Sequence, residues 1–118
     1  TMEALMETHT DTLILRNGCA YFYPGPETFK KGGELVEGAV IDLMSSSLIA
    51  ALIIDLIDVP EIDLDVIRGL CHMQQKVHDE GSLITIRNLS PSGRRLFEYM
   101  GLTDFFQILK HEDLPESN

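Results

Sequence analysis

Four aspartates, Asp55, Asp58, Asp63 and Asp65, crowd into one short stretch of the chain. Clustered acids can hold a divalent cation or accept a phosphoryl group. A phosphate-accepting aspartate of the receiver type also needs a pair of acids after the first strand to hold Mg²⁺. Arg16-Asn17 stand there instead. Each aspartate also has a local role: Asp55 closing a strand, Asp58 capping a turn, Asp63 capping a helix and Asp65 favouring its first turn. His72 and His78 lie six apart on a predicted helix, hence on different faces, and Cys71 beside His72 points elsewhere again. A metal site wants three or four convergent ligands, so none is expected. His9 and His111 fall in predicted tails. Arg87, Arg94 and Arg95 form the only basic cluster, which could bind an anion near a helix start but reads more simply as a solvated face.

No GxSxG elbow, GxxxxGK[ST] loop, HExxH or GxGxxG occurs. Gly32-Gly33 lacks the lysine-serine context of a phosphate loop. No catalytic, cofactor-binding or metal-binding residue is therefore predicted, and the chain is not expected to be an enzyme.

The elements that must position the acids follow from periodicity and punctuation. Residues 1–10 are polar, without a clear period, and predict a flexible tail. Thr12–Asn17 and Cys19–Tyr23 predict two strands joined at Asn17-Gly18, a strong hairpin signal. Pro26 suits a first helical position, and Phe29, Val36, Val40, Leu43 and Met44 recur at helical spacing up to Ser45-Ser46-Ser47. Ala50–Leu56 is a nearly continuous apolar run, as expected of a strand covered on both faces. Asp63 then opens a helix with Ile67, Leu70, Cys71 and Val77 as its apolar stripe and Gly81 as its stop. Ser82–Arg87 alternates as a strand. Ser90-Pro91 starts another helix through Met100, before Gly101, and Leu102–Leu109 forms a short end piece. The order β-β-α-β-α-β-α predicts an α/β layer fold with a largely parallel centre. One domain over 11–111 is expected, with an acidic tail over 112–118.

Composition bounds the partners. The chain has 118 residues, 44% apolar and 24% charged, enough for one modest core with five Phe, three Tyr and no Trp. Nineteen acids against nine Lys and Arg give a net charge of -10. That field repels nucleic acid and anionic membranes and suits a basic protein surface. Cys19 and Cys71 form no CxxC pattern and read as reduced and buried, in a cytoplasmic compartment. The run Leu48–Ile57 is broken by Asp55 and falls well short of the ~20 residues of a membrane span. Thr1 ahead of Met2 is consistent with a cloning remnant or with a piece of a longer protein.

The stretch LIIDLIDVPEIDLDVIRGL resembles the STAS family, named for sulfate transporters and anti-sigma factor antagonists. The matching pieces are Asp55-Leu56, Val59-Pro60 and Ile62-Asp63, with Gly81–Asn88 and Arg94–Phe106 similar to the family's last strand and final helix. The likeness runs from about Leu13 to Phe106. It implies a mixed sheet of four to five strands flanked by about four helices, a regulatory protein–protein interaction domain, and a functional surface at Asp63, Leu64, Asp65, Val66 and Ile67. Family members used as phosphorylation switches carry Ser or Thr just after the aspartate, where this chain has Leu64 and Asp65, with Val66 in place of glycine. Asp65 carries one charge against the ~1.5–2 of a phosphoserine, and the resemblance therefore implies a binding face in which the switch is absent. Ala20-Tyr21-Phe22-Tyr23 followed by Pro26-Glu27-Thr28-Phe29 is similar to the STAS domains of SulP-type anion transporters. This leans the expectation towards a transporter's cytoplasmic domain, partnered with its membrane domain. The alternative is a free-standing antagonist-like protein with an anti-sigma factor or kinase-like partner.

Overall fold

Asn17 and Gly18 both take positive φ, 51° and 79°, as a two-residue hairpin turn matched to strand twist requires. They join β2 (Thr12–Arg16) to β3 (Cys19–Tyr23), with Arg16 opposite Cys19. The computed structural model describes residues 3–7, 12–29, 38, 42, 50–79 and 84–109. Within them the remaining elements are β1 (Glu3–Glu7), β4 (Ala51–Asp55), α1 (Leu64–Asp79), β5 (Ile84–Arg87), α2 (Pro91–Tyr99) and β6 (Gln107–Ile108).

The strands form one sheet in the order β1-β2-β3-β4-β5-β6. The β1–β2 and β2–β3 pairs are antiparallel, and β3–β4, β4–β5 and β5–β6 are parallel. The α/β class and mixed sheet are as expected, with two differences at the edges. Part of the segment 1–10, read as a tail, pairs with β2 as β1. Its register shifts between Ala4 and Met6, and such an irregularity erases the two-residue period by which a strand is read from sequence. At the other edge the end piece contributes the two-residue β6. The expectation of about four helices meets two among the described residues. Of the helix expected from Pro26, residues 26–29 form a turn, Gly38 and Asp42 are helical, and the rest lies outside the described residues, as do Ser45–Ser47 and Gly81.

Register explains where the core sits. Leu13, Phe22, Ile54, Ile86 and Ile108 form one cross-strand row, and Leu15, Ala20, Leu52 and Ile84 another on the same face. Most of these residues are fully buried, in one cluster with Val66, Ile67, Leu70, Met73 and Val77 of α1 and Phe97 of α2. Each such side chain contributes about 1.5–3 kcal/mol by leaving water. The alternate row, Ile14, Tyr21, Ile53 and Thr85, is only half-buried. The run Ala50–Leu56 therefore does not form a strand equally covered on both faces. Parallel strands taken in sequence order, each joined by a right-handed crossover, carry their helices to one side.

Both helices carry the caps their sequences announce. Asp63 Oδ1 accepts from Val66 N at 3.0 Å. Ser90 Oγ accepts from Gly93 N at 3.1 Å, with Pro91 in the first turn. Gly101, at φ 72°, closes α2: its N–H donates to the Glu98 carbonyl and that of Leu102 to Phe97, the bond pair of a glycine-terminated helix. One buried polar residue ties helix to sheet, since Gln74 Oε1 accepts from Ile84 N at 2.9 Å.

Candidate functional site

The loop from Leu56 to Asp63 joins the carboxyl end of β4 to the start of α1, and four fixed points shape it. At its root Asp55 is 2% exposed. Its Oδ1 accepts from Ile57 N at 3.0 Å, and Asn88 Nδ2 donates to both oxygens at 3.0 and 3.2 Å. Arg87 Nε lies 3.0 Å from Oδ2 without a hydrogen bond, so that contact is Coulombic. Asn88 takes φ 60°, a left-handed conformation that asparagine tolerates better than most residues, and in it reaches back to Asp55. Leu56 N donates to the Arg87 carbonyl at 2.9 Å, and Val59 N to the Leu56 carbonyl at 2.9 Å.

The third point is Ser90, whose hydroxyl donates to the Pro60 carbonyl at 2.8 Å while also capping α2. The two segments lie close: a Cβ at Gly93 would come within 2.6 Å of Ile62. The fourth is the Asp63 cap. With its backbone bonds held from both sides, the loop presents Ile57 and Leu64 outward, 59% and 61% exposed, among the exposed acids Asp58, Glu61, Asp63 and Asp65. Asp65 pairs with Arg68 at 3.3 Å on the surface.

The predicted surface therefore divides. Asp63, Leu64 and Asp65 face outward, whereas Val66 and Ile67 are 4% and 5% exposed and belong to the core. A helix turns about 100° per residue, so the cap Asp63 and the four helical positions after it cannot all meet one partner. Leu64, the first residue of α1, remains exposed. Ile57, Asn88 and Ser90 were not singled out as members of the site. Only the Ser90-Pro91 cap was readable. Asn88 lies 33 residues from Asp55, and no local pattern joins them.

The remaining candidates are the arginines, the histidines, the cysteines and Asp58. Arg87 is committed to Asp55, Arg94 is half-buried and Arg95 exposed. His72 and His78 both line an open cleft of about 860 Å³ with Phe29, Cys71 and Phe105, and among the described residues no three metal-ligating side chains converge. Burial pushes the Cys71 thiol up from its ordinary pKa. Cys19 and Cys71 are half-buried and free. Asp58 is exposed in the turn after β4. Among the described residues no helix is long and apolar enough to cross a membrane.

Among the described residues, the helices pack on one face of a mixed sheet, and a hydrogen-bonded loop joins β4 to α1, which defines an α/β layer domain. The STAS domain pattern matches residues 3–114, and the chain belongs to that family. It is similar in fold to the protein TM1081, with a TM-score of 0.73 and 14% identity over 89% of this chain and 84% of that one. It also resembles the Bacillus cell-fate determinant SpoIIAA in its phosphorylated form, with a TM-score of 0.58 and 11% identity over 96% and 95%. The unphosphorylated form of this anti-sigma factor antagonist gives 0.58 and 12% over 96% and 91%. No curated protein sequence matches the chain.

The aromatic segment behind the transporter expectation has an internal explanation. Phe22 and Phe29 are core residues and Thr28 is buried, with its Oγ1 accepting from Gly25 N at 3.0 Å. These residues are needed by the fold whichever branch the chain belongs to.

Proposed function

We propose that this protein is a non-catalytic STAS regulatory domain that binds a protein partner through the Ile57–Asp65 junction, in the manner of the anti-sigma factor antagonists. The observation that carries this reading is the pair of exposed apolar side chains, Ile57 in a loop fixed by Asp55, Ser90 and Asp63 and Leu64 at the start of the helix that follows it. Exposed apolar residues on a preorganised segment lower the cost of association, because little has to be ordered on binding. The likeness to SpoIIAA favours the antagonist-like reading over the cytoplasmic domain of an anion transporter. On this reading the protein works in the cytoplasm, without a cofactor, and its partner is an anti-sigma factor or kinase-like protein.

The departure at Leu64 and Asp65 removes the hydroxyl that a serine kinase would need, so the face binds without being switched at that position. The test is affinity capture with the wild-type chain and with Leu64→Asp, followed by identification of the retained proteins. An anti-sigma factor or kinase-like protein held by the wild type and lost at least tenfold with Leu64→Asp is the expected result. Equal capture by both chains sinks the surface, and recovery of a membrane transporter instead returns the transporter reading.

A further inference from the structure

Beside the junction lies a second, smaller cleft of about 220 Å³, lined among the described residues by Pro26, Val59, Pro60, Glu61, Asp63 and Val66. We propose that this cleft is a specificity pocket for one arginine side chain of the protein partner; the proposal rests on the partner-binding reading above. Size decides the class of occupant first. Small-molecule sites run to about 300–1,000 Å³, whereas this space, at about 220 Å³, falls below that range. It is scaled to a single side chain.

Chemistry decides which side chain. Two prolines and two valines supply apolar walls, and Glu61 and Asp63 are the only charged groups among the described lining residues. An arginine buries its aliphatic stem on apolar surface and keeps its charged head at the rim. There its planar fork matches a carboxylate more closely than a lysine ammonium does. Asp63 Oδ1 is already taken by the Val66 N–H, which makes Glu61 the principal acceptor and Asp63 a supporting charge. No described basic residue lines the cleft, and the net charge of -10 favours approach of a basic segment. One wall is fixed in advance, because the Pro60 carbonyl is tied to Ser90 and Val59 N to Leu56. Exposed Leu64 and Ile57 continue the apolar surface along the chain on either side of the loop, so the arginine belongs between apolar neighbours.

The test titrates the intact chain with the peptide acetyl-Leu-Arg-Leu-amide and follows backbone amide shifts. Saturable shifts at Glu61, Ile62, Asp63, Val66 and Glu27 are expected. Binding should weaken at least tenfold when citrulline replaces arginine or when Glu61→Gln replaces the carboxylate, with the rest of the spectrum unchanged. Equal binding of the citrulline peptide, unaltered binding by Glu61→Gln, or an absence of shifts in this loop overturns the pocket. Shifts confined to Ile57 and Leu64 and insensitive to citrulline remove the pocket while leaving the partner surface intact. Loss of the surface itself is read separately, by capture with Leu64→Asp.

Discussion

Asp55 shows how a single side chain can set a surface it never reaches. Its carboxylate is buried, yet it fixes the amide of exposed Ile57 and gathers Asn88 and Arg87 from the neighbouring strand end. Removing a buried charge from such a set leaves its partners unpaid, at a cost of about 3–5 kcal/mol for a broken buried pair. Asp55→Ala is expected to lose stability on that scale in urea unfolding. Asp55→Asn, which retains an acceptor for Ile57 N, should lose clearly less. Equal losses would show that packing, rather than the hydrogen bonds, fixes the position. Sequence placed Asp55 correctly at the end of a strand. Its partners were invisible, because the contact joins two strand ends that only the sheet register brings together.

At the scale of elements, α1 is seated against residues 26–29 through an absence of side chain. A Cβ at Gly69 would stand 2.4 Å from Phe29 Cδ1, a distance that real contacts do not permit. Gly69→Ala gains helix propensity of up to about 1 kcal/mol but must displace a buried ring, and overpacking of this kind costs about 1–3 kcal/mol. A net loss of stability is expected, with part of it recovered in the double variant Gly69→Ala/Phe29→Leu. Additive losses would place the strain elsewhere. The starts of both helices were legible because caps are local chemistry: Asp63, and Ser90 with Pro91. The half-buried second face of the sheet was not. Ile14, Tyr21 and Ile53 are as apolar as the residues that alternate with them, so composition cannot say which face the helices cover. β1 escaped for a different reason, since its shifted register removes the alternation by which strands are read.

For the whole molecule, charge outweighs any single pair. Nineteen acids against nine Lys and Arg give the chain a net charge of -10. At about 0.01 M salt the screening length is about 30 Å and every acid feels the others, while at 0.15 M it falls to about 8 Å. Self-repulsion destabilises the compact state, so Tm should rise as sodium chloride increases over that range. A Tm that falls would mean that attractive pairs dominate instead. The α/β class, the hairpin and the acidic character were all legible from residues alone. The branch of the family was not, because half of the segment that suggested a transporter, Ala20, Phe22, Thr28 and Phe29, is buried and serves the fold in any branch.

The sheet order also bears on how the protein is made. Every strand from β2 onwards pairs with the one synthesised just before it. The chain can therefore add each strand to an edge that already exists as it leaves the ribosome, and no early strand waits for a late one. Because loop closure is a main determinant of folding speed, such an order spares the growing chain its longest closures. The last of the described strands to be added carries only two paired residues, Gln107 and Ile108, and is the weakest joint of the sheet.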